Sequence, residues 1–103
     1  MSANVIREIQ TALRTGKVVI GYKQTRKALV NGEAKMVIVA KNAPSDIMEE
    51  IIYYSKLASV PVYIFEGTSR DLGATCNKPF FVSALAIIHP GESSIMDIVK
   101  GET

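Results

Sequence analysis

The sequence of 103 residues contains only one cysteine, Cys76, and one histidine, His89. A single cysteine excludes an intrachain disulfide, which is typical of a protein that works in a reducing cytoplasm. One cysteine and one histidine cannot supply the usual ligands of a zinc site, so we expect no metal. Cys76 is interpreted as a small buried side chain and His89 as an ordinary loop residue, because no serine or carboxylate can be assigned to it.

Long apolar runs are also missing. The apolar segments reach the length of a strand, far short of the ~20 residues that cross a bilayer. Residues 1–8 carry charges where a signal peptide has an apolar block. The sequence has neither a Walker P-loop nor a dinucleotide-binding glycine pattern. We therefore expect a soluble intracellular protein with no membrane partner and no cofactor, and no motif supports an enzyme.

The overall composition is that of a globular protein. Hydrophobic residues make up 48% of the chain and charged residues 21%, which is enough for one domain over residues 1–103 with a true core. The net charge is +2 and the pI is about 8.8. This mildly basic balance permits nucleic-acid binding only if the cations are clustered on one surface.

Hydrophobic periodicity predicts helices and strands in alternation, beginning with a helix that ends at Gly16. The predicted strands are residues 17–20, 36–40, 62–65 and 81–88, and the first of them is predicted to be a short buried strand. The other predicted helices are residues 22–30, one with Pro44 in its first turn, 72–76 after a capping pair of Thr68 and Asp71, and 94–99. Strands that are apolar on both faces, alternating with helices, predict a three-layer α/β/α sandwich.

Residues 19–27 (VIGYKQTRK) are the most informative segment. A β-branched strand stops at Gly21, and a helix that carries Lys23, Arg26 and Lys27 begins at once. A helix start has free N–H groups and a partial positive charge, so it suits anions, and glycine lets a ligand approach the backbone. The segment fits RNA best. It also fits an ordinary strand–helix junction of an α/β protein, and both interpretations remain open at this point.

Two other loops carry similar chemistry: residues 41–42 (KN) follow the second strand, and residues 78–80 (KPF) precede the fourth. If the first two strands are parallel neighbours and the fourth runs the opposite way, all three loops meet at one edge of the sheet. They would offer phosphate contacts, an amide and an aromatic platform, the groups that recognise unstacked RNA bases. One of Phe80 and Phe81 should pack in the core, because neighbours on a strand point to opposite faces.

Four segments resemble the archaeal and eukaryotic large-subunit ribosomal protein family 30e. They are GYKQT at 21–25, KMVIVAKNAP at 35–44, YYSKL at 53–57 and DLG at 71–73. The resemblance extends from Ile9 to about Met96. The related 7Ae branch has Gly-x-Asn-Glu at the helix start, where this chain has GYKQ at 21–24. The exchange of a carboxylate for a cation favours the 30e branch.

The resemblance implies a four-stranded mixed sheet and membership of the kink-turn RNA-binding superfamily. It implies a non-catalytic constituent of the large ribosomal subunit in the cytoplasm, in contact with ribosomal RNA and neighbouring ribosomal proteins and monomeric when free. By position, Gly21 and Lys23 would contact the RNA at the kink, Asn42 a base or its sugar, and Phe80 an unstacked nucleotide. The full set of implied RNA-binding residues is Gly21, Tyr22, Lys23, Gln24, Lys27, Asn42, Phe80, Val82 and Ser83.

Three alternatives remain open at the level of the sequence. The chain could be a stand-alone kink-turn RNA-binding protein in RNA processing or translational control, although GYKQ at residues 21–24 argues against this. It could be a non-catalytic protein-interaction module, because related sandwiches also bind proteins. An enzyme acting on small anionic ligands has the least support.

Overall fold

The computed structural model describes residues 3–97 of the chain. The elements in chain order are α1 (Ala3–Thr15), β1 (Lys17–Ile20), α2 (Tyr22–Val30), β2 (Met36–Ala40), α3 (Ser45–Leu57), β3 (Val62–Phe65), α4 (Ser69–Thr75) and β4 (Ala84–His89). Residues 95–97 are also helical, and the rest of the predicted final helix, 98–99, lies outside the described residues. None of the helices in the described part is long and apolar enough to cross a bilayer.

The four strands form one mixed sheet in the order β1-β4-β2-β3. β2 and β3 are parallel, and β4 is antiparallel to both of its neighbours, β1 and β2. The ends of β1, β2 and β3 therefore lie beside the start of β4. We call this side the carboxyl edge and define it as residues 21–24, 41–44, 66–70 and 78–83. The reversed direction of β4 is confirmed, but the expectation that the first two strands are neighbours is wrong.

The burial of the strands explains why β4 lies between β1 and β2. Residues 84–87 of β4 are fully buried, whereas β1 begins with the exposed Lys17 and its other residues are only half-buried. A strand that is apolar on both faces suits the centre of a sheet, and one that carries a lysine suits an outermost position, with a neighbour on one side only. β1 is thus a half-buried edge strand, and the prediction that it is a buried strand is wrong.

The three-layer sandwich is confirmed by how β2 divides its side chains. Met36, Ile38 and Ala40 join the core formed with α1 and α4, while Val37 and Val39 join a second core formed with α2 and α3. All five residues are fully buried. Full burial of an aliphatic side chain of this kind contributes roughly 1.5–3 kcal/mol. The central strand therefore holds both helical layers in place.

Local signals fix most helix ends. α2 spans the predicted residues, and the chain leaves it through Gly32 in a left-handed conformation, φ 72°. The capping box between Thr68 and Asp71 is present. α4 begins at Ser69, directly after Thr68 and earlier than the predicted residue 72. Pro44 precedes the first turn of α3 instead of lying within it.

The start of β4 differs from the prediction of residue 81. The sheet strand begins at Ala84, because the preceding segment is held against α4. A Cβ on Gly73 would lie 2.2 Å from the carbonyl oxygen of Phe80, so only glycine permits this approach. Both Phe80 and Phe81 leave the core, with 55% and 70% of their surface exposed, and Val82 is buried instead. The expectation that one of the two phenylalanines packs inside is wrong.

Candidate nucleic-acid interface

Backbone hydrogen bonds join the loops of the carboxyl edge to one another. The amide of Gly21 donates to the Ala84 carbonyl at 2.8 Å, and the amide of Ala40 donates to the Ser83 carbonyl at 2.8 Å. The amide of Lys41 in turn donates to the last carbonyl of β3 at 3.1 Å. The segments that follow β1, β2 and β3 thus lie side by side with the segment that precedes β4. These include the three loops that the sequence predicts to meet, namely those after β1 and β2 and the one before β4.

Gly21 adopts a backbone conformation that other residues rarely reach, with φ 106° and ψ 153°. Its carbonyl accepts the Thr25 amide at 2.9 Å, so it begins α2 while its own amide remains bonded to β4. Apart from its chain neighbours, no described residue has an atom within 4 Å of where a Cβ would stand. Glycine is therefore required here by the backbone angle, and the space beside it is open to a ligand.

The start of α2 presents amide and cationic groups together. The N–H groups of residues 22–24 have no carbonyl partner within the helix, because the first turn of any α-helix leaves its donors free. Lys23, Gln24 and Lys27 are exposed on the surface of this helix. Together with the positive end of the helix dipole, this surface attracts anions such as phosphate groups.

Arg26, the third cation of this helix, is engaged differently. Its Nη1 donates to Oε1 of Glu50 on α3 at 2.9 Å, and its guanidinium carbon lies 5.7 Å from the centroid of the Tyr22 ring. Interaction with Glu50 raises the pKa of Tyr22, and interactions with Tyr22 and Arg26 lower the pKa of Glu50. Tyr22 and Arg26 therefore tie α2 to α3, which positions Lys23 and Lys27.

Asn42 links two loops of the carboxyl edge. Its Oδ1 accepts the backbone amide of Ser69, the first residue of α4, at 2.7 Å. Because a backbone N–H can only donate, the accepting atom must be the oxygen, and the Nδ2 group is therefore turned the other way. Among the described residues this Nδ2 has no hydrogen-bond partner. Asn42 thus keeps a side-chain donor for a base or a sugar while its oxygen holds the loop.

The predicted residues of the segment before β4 differ in what they expose. Phe80 projects from the protein surface, whereas Val82 is only 1% exposed and packs in the core. Ser83 is half-buried, and its carbonyl is already bonded to β2. The structure therefore leaves Phe80 available to a ligand through its ring. Val82 supports the edge from inside.

Neither Arg70 nor Phe81 is among the residues predicted to bind RNA. Both border one surface depression of about 260 Å³ together with Lys78 and Phe80. A signal for Arg70 was present, because a cation in the first turn of a helix opposes the helix dipole. Such a residue is unfavourable for α4 alone and indicates a use outside the helix.

Cys76 and His89 have structural surroundings. Burial raises the pKa of the Cys76 thiol to about 11, so at neutral pH it is a protonated small side chain. Nδ1 of His89 accepts the Gly91 amide at 3.0 Å within a turn. In residues 3–97, no group of three or more histidine, cysteine, aspartate or glutamate side chains is placed to hold a metal ion.

An α/β/α sandwich that presents lysines, a free amide donor and an exposed aromatic ring along one sheet edge is typical of the class of compact RNA-binding domains. A sequence model of the ribosomal protein L7Ae/L30e/S12e/Gadd45 family matches residues 3–97, and the chain belongs to this family.

Three relatives, each named large ribosomal subunit protein eL30, align with almost the whole chain. The large ribosomal subunit protein eL30 of Pyrobaculum neutrophilum is 48% identical over 97 residues, which are 94% of this chain and 96% of the relative. The eL30 proteins of Methanothermobacter thermautotrophicus and Methanococcus maripaludis are each 47% identical. These matches cover 93% and 98% of this chain and 98% and 95% of the respective relatives. The resemblance to family 30e is confirmed.

Proposed function

We propose that this protein is a structural constituent of the large subunit of the cytoplasmic ribosome and that its carboxyl edge binds a kinked internal loop of ribosomal RNA. The observation that carries the proposal is the meeting of Gly21, Lys23, Asn42 and Phe80 on one exposed edge of the sheet. The names of the relatives, all large ribosomal subunit proteins, support the ribosomal assignment. No catalytic step is part of the proposal, and we expect a monomer when the protein is free.

The groups of the carboxyl edge divide the work of holding a bent RNA. The open space beside Gly21 admits the sugar–phosphate backbone to the start of α2, where Lys23 and Lys27 neutralise phosphates. Gln24 and the amide Nδ2 of Asn42 hydrogen-bond base edges or sugars in the opened loop. The ring of Phe80 stacks on a base that the kink has released from its neighbours. Tyr22, Val82 and Ser83 contribute by fixing these groups in place.

The first experiment compares a kink-turn RNA with a straight duplex of equal length. We expect clearly tighter binding to the kinked RNA, because only there are unstacked bases available to the carboxyl edge. Equal affinity for the two RNAs would contradict the proposal. The measurement is repeated at several salt concentrations, since phosphate contacts release counterions and give a linear dependence of log affinity on log salt.

The role of Lys23 is tested against a lysine on the other side of the sheet. Lys23→Ala should weaken binding and reduce the salt slope by about one unit, as the loss of one phosphate contact predicts. Lys35→Ala is the matched control, because Lys35 is exposed beside the start of β2, at the edge away from the proposed site. Similar slopes for the two variants would remove Lys23 from the interface.

The role of Asn42 is tested by separating its two functions. Asn42→Asp keeps an oxygen that can accept the Ser69 amide but removes the Nδ2 donor, so we expect normal stability and weaker RNA binding. Asn42→Ala should lose both. Wild-type affinity of Asn42→Asp would mean that the donor is not used.

Sedimentation of cell extracts distinguishes the ribosomal role from a stand-alone RNA-binding role. A constituent of the large subunit is present there in a one-to-one ratio with the ribosomal RNA, even after washing at moderate salt. A protein that acts alone in RNA processing would be found mainly outside the subunit fractions, and that result would favour the alternative.

A further inference from the structure

Phe81, Arg70 and Lys78 form a cluster that the proposed RNA contacts do not use. They border the depression of about 260 Å³ beside Phe80, whose complete lining is Arg70, Ala74, Lys78, Pro79, Phe80 and Phe81. Two of these six residues are cationic, two are aromatic and none is acidic. We call this cluster the α4 depression.

The aromatic rings of the α4 depression are held out by the backbone. The amide of Lys78 donates to the Gly73 carbonyl at 2.9 Å, and the amide of Val82 donates to the Ser69 carbonyl at 3.0 Å. Both anchors are on α4, and Phe80 and Phe81 lie between them. A segment fixed at both ends loses little backbone entropy when a ligand binds, so the backbone that carries the two rings is preorganised.

The exposure of Phe81 is costly unless something covers it. Its surface is 70% exposed, more than that of any other large hydrophobic side chain of the described residues. Neighbouring exposed aromatics beside cations are the groups that hold single-stranded nucleic acid, because each base offers a flat face and each phosphate a charge. No salt bridge joins Arg70 or Lys78 to a carboxylate within the described part of the chain.

The α4 depression is continuous with the proposed RNA site. Ser69, which donates to Asn42 and accepts from Val82, connects the two surfaces directly. Every residue of the depression except Ala74 belongs to the carboxyl edge, so an RNA bound at Asn42 lies on the same surface as Phe81.

We propose that the α4 depression is a second nucleotide subsite, in which an unpaired base of the bound RNA stacks on Phe81 while its phosphate meets Arg70 and Lys78. This inference rests on the proposed function, because it concerns the same RNA. It adds a nucleotide that is distinct from the one assigned to Phe80. A guanidinium suits this position, since it binds phosphate with two parallel hydrogen bonds and also stacks on bases.

The test is a double-mutant cycle between protein rings and RNA bases. A kink-turn RNA is prepared as a series in which each unpaired nucleotide in turn is made abasic. Each RNA is titrated with the wild type, Phe80→Ala, Phe81→Ala and Phe81→Leu. Tyr53→Ala is the matched control, because Tyr53 is a comparably exposed aromatic residue on α3, at 59%.

We expect Phe81→Ala and Phe81→Leu to weaken binding by roughly 5- to 150-fold, the range for loss of one base stack. Phe81→Leu keeps an apolar side chain and removes only the aromatic face, so its loss identifies stacking. One abasic position should weaken the wild type but not the Phe81 variants, and it should differ from the position that couples to Phe80. Arg70→Gln with Lys78→Gln should reduce the salt slope further.

Three results would overturn the subsite. The first is that the Phe81 variants bind every RNA as tightly as Tyr53→Ala while the wild type still prefers the kinked RNA, which leaves the proposed function intact. The second is that Phe81 couples to the same nucleotide as Phe80. The third is that Phe81→Ala binds RNA normally but sediments less with large subunits, which would assign the α4 depression to a protein. A wild type that fails to prefer kinked RNA would overturn both proposals.

Discussion

The two edges of the sheet both contain loops with glycines, yet they are packed in opposite ways. At the edge formed by Gly16 and residues 89–94, which we call the closed edge, a Cβ on Gly16 would lie 2.1 Å from the His89 carbonyl oxygen. At the carboxyl edge, a Cβ on Gly21 would meet nothing within 4 Å among the described residues beyond its chain neighbours. Gly16 permits close packing of the backbone, and Gly21 leaves space for a ligand.

The polar groups of the two edges differ in the same way. At the closed edge, the Glu92 amide donates to the Thr15 hydroxyl at 2.9 Å, and the Ser94 amide donates to the Glu8 carboxylate at 2.7 Å. At the carboxyl edge, Lys23 and the Nδ2 group of Asn42 end in solvent. An edge that satisfies its polar groups internally has little to offer a ligand. The contrast supports the proposal that the carboxyl edge, and not the closed edge, binds RNA.

The largest expected effect is the loss of stability in Gly16→Ala, because the added methyl group would overlap neighbouring atoms. The obstructing atoms belong to the backbone of residues 89–91, which cannot rotate away. We expect the free energy of unfolding in urea to fall by about 3 kcal/mol, the upper end of ordinary overpacking. RNA affinity of the folded protein should not change. Wild-type stability of this variant would show that the closed edge is not tightly packed.

Gly21→Ala tests the open edge. Strain at φ 106° should lower the free energy of unfolding by about 2 kcal/mol. RNA affinity, measured well below the melting temperature, should fall by about tenfold, which corresponds to 1.4 kcal/mol. The variant thus separates the two glycines, since only this one should affect binding. Unchanged affinity would contradict the role of Gly21 as an approach site.

Thr68→Ala removes the cap of α4, the helix that holds Phe80 and Phe81. The Thr68 hydroxyl accepts the Asp71 amide at 3.2 Å, and loss of such a cap lowers the free energy of unfolding by about 1 kcal/mol. Thr11→Ala is the control, because the Thr11 hydroxyl donates to the Arg7 carbonyl within α1 and caps nothing. Thr68→Ala should therefore have a lower melting temperature than Thr11→Ala, and equal melting temperatures would contradict the stabilising role of the cap.

The smallest effect concerns pH and the same cap. Hydrogen bonds from the Thr68 amide and hydroxyl, aided by Arg70 and Lys41, lower the pKa of Asp71 below its ordinary value of 3.8. A lowered pKa stabilises the folded state above pH 3.8, and this contribution is lost as the pH falls through the folded-state pKa. The difference in melting temperature between the wild type and Asp71→Asn should therefore be constant near neutral pH and shrink below pH 3.8. A constant difference would exclude this linkage.

The sequence predicted what is encoded locally. β2 and β3 have the expected bounds because turn residues flank short β-branched runs, and α2 lies between Gly21 and Gly32 as its punctuation indicates. The meeting of the Gly21 and Asn42 loops at one edge was predicted from the rule that ligands bind where strands end. The family resemblance added the mixed sheet.

The remaining features depend on contacts between residues that are distant in sequence. The apolar run from Phe81 to Ile88 gives no sign that Gly73 holds its first residues away from the sheet. Neither the placement of β4 between β1 and β2 nor the bond from Ser69 to Asn42 has a local signal. The sequence likewise does not distinguish Arg26 from Lys23 and Lys27, although of these three described residues only Arg26 is engaged by Glu50 in the structure.

The position of β4 has a consequence for how the protein is made. β1 and β2 share no backbone ladder and are joined only through β4, which is the last strand in chain order. A nascent polypeptide that ends before Ala84 therefore has an unpaired first strand and a separate parallel pair. We expect the recognition surface to assemble only after β4 has been synthesised, so chains that lack β4 should be unable to compete for ribosomal RNA.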